Sequence, residues 1–329
     1  MEFLKRTTLA LSAAVLFATS AAAQDVVKIT NIGHGYFSGP LYVAMREKLF
    51  EKHGVKAEVT FVQGGSLAFQ SVFTREADFG VLSYEHVLTA AAQGRDIVSI
   101  FNLTHRPLNN IVVSNALYEA TKGKSLKERI LALKGKRIGT PSAGGSGEKM
   151  LGVLARTYGL ALPGDVELVY LGAEAASYVG AFQKNLIDAA MPFEPAGVQV
   201  EMQKLGKTMV NLMDGEVEAF RDLIFMTLTT HPANLTERPE VVRKVVAAFA
   251  EAQKILLDPK RGKDIMGQEF DKMSPEANEM AYGVVRQIWS PDGRMTVEGG
   301  KKVFDYLQPK GNKPIDFDKT FTNAFLPKS

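Results

Sequence analysis

The chain has 329 residues, with 39 Lys and Arg against 36 Asp and Glu, 46% hydrophobic and 23% charged residues, and no cysteine. A formal charge of +3 lacks the basic excess of a nucleic-acid binder. The missing cysteine excludes disulfide scaffolds, thiolate zinc sites, thiol nucleophiles and a cysteine-linked lipid anchor. The length allows two cores, and the composition predicts an ordered, two-lobed globular protein.

Lys5 and Arg6, an apolar run over 9–20 and Ala21-Ala22-Ala23 read as a secretory signal peptide cleaved after Ala23. The run is shorter than the roughly 20 apolar residues of a membrane helix. Cleavage removes Glu2, Lys5 and Arg6, one net positive charge, and leaves 306 residues near +2. No later segment is apolar enough to span a bilayer, so the mature chain is expected to be soluble and without membrane insertion. An exported chain without disulfides points to a bacterial periplasm.

Residues 26–32 form a β-branched strand that ends in Gly33-His34-Gly35-Tyr36-Phe37-Ser38-Gly39-Pro40, a loop dense in turn formers. A helix over 41–53 is closed by Gly54. Ala57, Val59 and Phe61 alternate with polar residues as a half-buried strand. Gly64-Gly65-Ser66 opens a helix over 67–75, with Ser66 as its cap. Strand 78–82, a helix led by Ser83-Tyr84-Glu85 and strand 97–103 complete a first α/β unit. The middle repeats the pattern. Strand 110–114 is followed by a capping box at Ser125-Leu126-Lys127-Glu128, strand 136–140, a glycine-rich loop and a helix over 148–158 closed by Gly159. Strand 166–171, helix 173–184, strand 188–191, helix 196–205 and strand 208–212 follow. A return strand at 223–230 leads to helices over 239–257, 274–287 and 296–307. Strands alternating with helices imply parallel βαβ units.

An internal echo runs through this order. Glu76-Ala77-Asp78, a strand and Tyr84-Glu85 are matched by Leu186-Ile187-Asp188, a strand and Phe193-Glu194. The pattern arises either by chance among units of similar size or from two similar lobes. Two lobes would hold a ligand between them, beyond the carboxyl ends of the strands.

Catalytic motifs fail on inspection. Gly33-His34-Gly35 lacks the third glycine of a dinucleotide fingerprint, because position 38 is Ser38. Gly144-Gly145-Ser146-Gly147 is followed by Glu148 where a nucleophile elbow needs glycine. Neither loop continues as a P-loop. The five histidines have no i, i+4 partners that would signal a metal site, and no cofactor is expected. His34 faces either a cleft or its own turn.

Loop 142–147 is the most informative stretch. Its glycines free backbone N–H groups, Ser142 and Ser146 add hydroxyls, and a helix start suits an anion; the alternative is a solvated loop whose serines cap the helix. Gly65 and Ser66 repeat the device on a smaller scale. Tyr36, Phe37, Tyr84 and Phe193 lie at strand ends, placed either to wall a ligand or, as large rings usually do and Phe37 in particular, to pack in the core. Glu85 and Glu194 either accept hydrogen bonds from a ligand or cap the helices that follow them. Trp289 is expected to pack.

Gly39-Pro40-Leu41-Tyr42-Val43-Ala44, Ala77-Asp78-Phe79-Gly80, Leu133-Lys134-Gly135-Lys136-Arg137-Ile138-Gly139, Asp188-Ala189 and Glu194-Pro195, in this order behind a signal peptide, resemble the periplasmic solute-binding proteins of ABC importers. The resemblance is to the nitrate/sulfonate/taurine and thiamine-pyrimidine binding group. It implies an α/β, two-lobed type II periplasmic-binding-protein fold, each lobe a mostly parallel sheet flanked by helices, with two crossing strands and hinge closure. Residues 24–108 and 220–329 would form lobe 1 and 109–219 lobe 2. The implied role is capture of a small solute, without chemistry, by a monomer that delivers it to a permease and its ATPase. The cleft residues implied are Gly35, Tyr36, Phe37, Gly65, Ser66, Ser83, Tyr84, Ser142, Gly145, Ser146, Gly147, Phe193 and Glu194. A single tryptophan departs from the aromatic-rich pyrimidine binders and favours a sulfonate- or carboxylate-like anion. The alternatives are a thiamine-precursor pyrimidine or other heteroaromatic ligand, and a periplasmic enzyme on this fold.

Overall fold

A computed structural model describes residues 24–309, 311 and 313–328; the expected signal segment lies outside the described residues. Strands β1 (Asp25–Asn31), β2 (Val55–Phe61), β3 (Phe79–Ser83) and β4 (Val98–Thr104) are rich in β-branched and aromatic residues. The chain then builds a second sheet from β5 (Ile111–Ser114), β6 (Arg137–Thr140), β7 (Glu167–Tyr170), β8 (Ala189–Ala190) and β9 (Gly206–Val210), and returns to the first by β10 (Met226–Thr230). The strand orders are β2-β1-β3-β10-β4 and β7-β6-β8-β5-β9. In each sheet the strand arriving from the other sheet opposes its neighbours: β10 is antiparallel to β3 and β4, and β5 to β8 and β9. The remaining pairs are parallel, which is the expected arrangement of mostly parallel sheets with two crossing strands.

The two crossings are tied to each other. Asn110 Oδ1 accepts from the Leu212 N–H at 2.9 Å, and the Leu223 N–H donates to the His105 carbonyl at 2.8 Å. Arg106 Nη1 donates to the Met213 carbonyl at 3.1 Å. The two crossing segments are thereby joined to each other by side-chain and backbone hydrogen bonds.

The two sheets match position for position, with β3 in the place of β8, and the echo in the sequence falls on these two strands. Asp78 Oδ2 accepts from the backbone N–H of Lys28 at 2.8 Å, and Asp188 Oδ2 from that of Arg137 at 3.0 Å. Each carboxylate also meets an arginine, Arg238 at 2.8 Å and Arg137 at 3.0 Å. Each aspartate therefore locks its strand to the one beside it by the same bond. Asp78→Ala and Asp188→Ala are each expected to cost about 1–3 kcal/mol in urea unfolding, since each strands a backbone donor and an arginine. A loss below about 0.5 kcal/mol would show the matching bonds to be incidental.

Several sequence expectations change at the level of elements. The helix over 41–53 is two helices, Gly39–Arg46 and Leu49–Lys52, because Lys48 turns left-handed (φ 52°). Ser66 is not a cap: the helix is Gly65–Phe73, begun at Gly64, and Ser66 lies inside its first turn. Strand 188–191 shortens to Ala189–Ala190. Asn115–Thr121, Pro232–Glu237, Arg261–Glu269 and Phe317–Thr320 are helices that hydrophobic spacing did not signal, since each buries at most three residues. The capping box at Ser125 and the Gly159 stop are present as read. Pro239–Leu257 is also as read; its Val242, Val245, Val246, Phe249, Ala252 and Leu256 form one buried stripe.

Candidate functional site

Helices leave the carboxyl ends of the strands, and four of them begin around one space between the two sheets: Gly65–Phe73, Tyr84–Ala92, Ser146–Tyr158 and Ala175–Gln183. None of the four has a side-chain cap; Gly39–Arg46, Ala196–Met202, Pro239–Leu257 and Arg261–Glu269 also lack one, while Ser114, Ser125, Ser274 and Thr296 cap helices elsewhere. A capped helix start has spent one of its free N–H groups on its own side chain, and an uncapped one keeps it for a partner.

The space is a cavity of about 190 Å³. One wall is Ile32, Gln63, Gly64, Gly65, Ser83 and His86; the other is Pro141, Ser142, Gly145, Ser146, Gly172, Ala173 and Phe193. No lysine, arginine or carboxylate lines it. Its polar side chains are Gln63, Ser83, His86, Ser142 and Ser146, and none is hydrogen-bonded to another side chain or backbone group among the described residues. Ser83 and Ser146 are buried residues, His86 and Ser142 are half-buried and Gln63 is exposed, so the five side chains open onto the cavity with their hydrogen-bonding groups free for a polar ligand.

His86 is half-buried. Burial, and then the nearby Lys149 charge, push its imidazole down to about 3, so it is neutral in the physiological range. Its ring lies on Gly65, where a Cβ would fall 2.0 Å from Nε2. Glycine is required at 65 to admit the ring. Glu148, beside the cavity, accepts from the Gly144 N–H at 3.0 Å and from the Tyr170 hydroxyl at 3.1 Å, which fixes the shape of loop 142–147.

Of the residues singled out from the sequence, Gly65, Ser83, Ser142, Gly145, Ser146 and Phe193 line the cavity. The others do not. Gly35 gives its N–H to the Tyr42 hydroxyl at 3.1 Å. Tyr36 is fully buried, stacked on Phe270 at 4.6 Å with its hydroxyl on Asn278. Phe37 is buried behind Phe193, ring to ring at 5.1 Å. Tyr84 is buried with its hydroxyl paired to Thr320. Ser66 is exposed, and Gly147 sits one residue inside its helix, where a Cβ would press on the Met191 carbonyl at 3.0 Å. Tyr36, Phe37 and Tyr84 pack in the core, where a ring buries more apolar surface, and of the four rings Phe193 alone lines the cavity.

Glu194 caps its own helix: Oε2 accepts from the Val198 N–H at 3.0 Å in a buried setting. Burial pushes its carboxyl up to about 7 against the opposing pull of those backbone donors. Glu85 is neither a cap nor a cavity residue; it accepts from the Tyr306 hydroxyl at 2.8 Å. His34 pairs with Glu269 at 2.9 Å and lies on Phe270 at 4.6 Å. With Glu174 and Asp271 it lines a second, outer chamber of about 360 Å³. Ile32 and Ala173 line the inner cavity and the next residues but one and one, His34 and Glu174, the outer; Gly33 separates them, its absent Cβ 3.5 Å from that of Ala173. Trp289 packs in the core, as expected.

Reading from sequence missed Ile32, Gln63, His86, Pro141, Gly172 and Ala173, and placed Gly64 in the loop Gly64-Gly65-Ser66 without naming it a site residue. The pair Gly172-Ala173 follows β7 as Gly64-Gly65 follows β2, so pursuing the echo into the neighbouring loops would have found it. Nothing in the sequence singles out His86, because an isolated histidine on a helix carries no spacing signal.

A Brucella abortus (strain 2308) chain named "Putative binding protein" is 27% identical over 284 residues, 83% of this chain and 81% of its own. The alkanesulfonate-binding protein SsuA from Xanthomonas axonopodis pv. citri, solved bound to MOPS, superposes with a TM-score of 0.66 at 18% identity over 88% of this chain and 91% of its own. This likeness shows the periplasmic-binding-protein fold. A Uromyces fabae protein named 4-amino-5-hydroxymethyl-2-methylpyrimidine phosphate synthase is 23% identical over 304 residues, 87% of this chain and 83% of its own. The model of the family described as NMT1/THI5 like matches residues 37–261, well over half of the sequence, and the chain belongs to that family.

Proposed function

We propose that the chain is the periplasmic solute receptor of an ABC importer and that it closes two lobes, 24–108 with 220–329 and 109–219, on a small organic anion of sulfonate or carboxylate type. The observation that carries this reading is the convergence of four uncapped helix starts and five unpaired polar side chains on one cavity without a charged side chain. Each helix start presents roughly half a positive charge and free N–H donors, so an anion is stabilised with no cation in contact. About 190 Å³ suits a solute of a few heavy atoms. Phe193 and the His86 imidazole are the aromatic rings on the cavity, a small stacking surface for a heteroaromatic ligand. The bound form would be handed, by a monomer, to a permease and its ATPase.

The experiment is a thermal-shift and calorimetric panel of taurine, ethanesulfonate, acetate, nitrate and 4-amino-5-hydroxymethyl-2-methylpyrimidine, with recovered ligand checked by mass spectrometry. An anion at 100 times its Kd should add about 2.7 kcal/mol of stability and be recovered unchanged. Product formation would turn the reading toward an enzyme, and a shift with the pyrimidine alone would turn it toward the heteroaromatic alternative. For the anion that binds, Ser142→Ala with Ser146→Ala should weaken affinity about 10- to 100-fold, the scale of one or two hydrogen bonds to a charged group. Unchanged affinity would remove loop 142–147 from the site.

A further inference from the structure

Glu85 lies in the first turn of Tyr84–Ala92, on the side of the first sheet, and its side chain is 1% exposed. Tyr306, from Val297–Leu307, donates to Oε1 at 2.8 Å. The other oxygen, Oε2, is buried with no hydrogen-bond partner among the described residues. The cation that faces it comes from the other side of the cleft: Lys149 Nζ, on Ser146–Tyr158 of the second-sheet side, stands 3.6 Å away. Lys149 is one turn beyond Ser146, and Glu85 is next to His86, so the pair lies just behind the cavity and spans it. His86, the remaining titratable neighbour, is neutral and does not compete for the carboxylate.

We infer that Lys149 and Glu85 are positioning residues, an ion pair across the cleft that favours the closed arrangement of the two lobes. A buried carboxylate oxygen without a donor is costly, and in the closed form Lys149 is the group that compensates it. When the lobes part, water reaches Glu85 and the lysine is no longer needed. The pair therefore stabilises the closed form relative to the open one, which is the condition for shifting that equilibrium. The separation of 3.6 Å exceeds the 2.7–2.9 Å or so of a charge-assisted hydrogen bond, so tightening around a ligand would strengthen the contact further. This inference rests on the two-lobe reading above and is independent of which solute is bound.

The chain has no cysteine, so two engineered ones report without background. Lys56→Cys on β2 and Glu167→Cys on β7 are exposed edge-strand positions on the two sheets and accept spin labels. Interlobe distances are measured by pulsed electron resonance on the full mature chain without ligand, so a chain that binds no anion of the panel still passes or fails. Lys149→Met should shift the distribution to longer distances, and Lys149→Arg should restore that of the parent. Adding Glu85→Gln to Lys149→Met should open the cleft no further than Lys149→Met alone. An unchanged distribution in Lys149→Met overturns the inference, including when its melting temperature falls, because the pair would then serve packing alone. Equal opening in Lys149→Met and Lys149→Arg overturns it as well.

Discussion

Ala173→Phe should abolish solute capture while leaving the fold intact. Ala173 stands on the second-sheet wall of the cavity, between Gly172 and the start of Ala175–Gln183, and its Cβ faces Gly33 across the cleft. A phenyl ring there has two places to go. Turned inward, it takes a large share of a space of about 190 Å³; turned outward, it wedges against Gly33 and holds the lobes apart. Either way a ligand loses its contacts to one wall, and affinity should fall at least about 100-fold, or roughly 2.7 kcal/mol. Because Ala173 is only half-buried and lies in a loop, the melting temperature should move by no more than about 2 °C. Calorimetry on parent and variant decides the matter: retained affinity would place the ligand outside this cavity.

A second large effect is expected in the pH dependence of stability. The Glu194 carboxyl is pushed up to about 7 from an ordinary 4.5, by burial first of all. A group whose pKa is raised by folding contributes stability that is complete below its unfolded value and is lost as pH rises through the folded one. Ionising Glu194 should thus cost roughly 3 kcal/mol between about pH 4.5 and 7. His86 works in the opposite direction. Lowered to about 3 from 6.5, it contributes stability that is present above pH 6.5 and lost as pH falls toward 3. Between pH 4.5 and 6.5 the two slopes offset each other, and wild-type stability should be nearly flat. Glu194→Gln removes one of them. Relative to wild type, the variant should gain up to about 3 kcal/mol between pH 5 and pH 8, and on acidification below 6.5 it should show the uncompensated loss from His86. Urea unfolding of both proteins at pH 5, 6.5 and 8 tests this; a constant difference across the three would mean that Glu194 is ionised throughout.

Much of the fold was legible because its signals are local. Ser125 and Glu128 satisfy each other within one turn, Gly159 ends its helix by adopting a left-handed conformation, and Pro239–Leu257 repeats its apolar residues at helical spacing. None of these depends on a distant part of the chain. The echo of Asp78 in Asp188 was visible as well, but its meaning was not. That each carboxylate accepts the N–H of a neighbouring strand became evident only with β1 beside β3 and β6 beside β8.

The candidate site divided along the same line. Gly65, Ser83, Ser142, Gly145 and Ser146 could be named in advance because a small or hydroxylated residue between a strand and a helix either caps that helix, as Ser114 does, or stands beside whatever the helix start binds. Tyr36, Phe37 and Tyr84 could not be sorted this way. A ring at a strand end turns to the cleft or to the core according to what packs beneath it, and Phe270, Phe193 and Thr320 are far from these rings in sequence. His86 and Ala173 required both walls to be assembled before either had a role.

Length, balanced charge and the absence of cysteine, with motifs in register, determined an α/β chain of the periplasmic-binding-protein fold, since element type, capping and order follow from neighbouring residues. Which residues face the cavity, and that no charged side chain does, was decided by tertiary structure. Two walls that are far apart in sequence meet only when β5 and β10 cross between the sheets and bring four helix starts to one point.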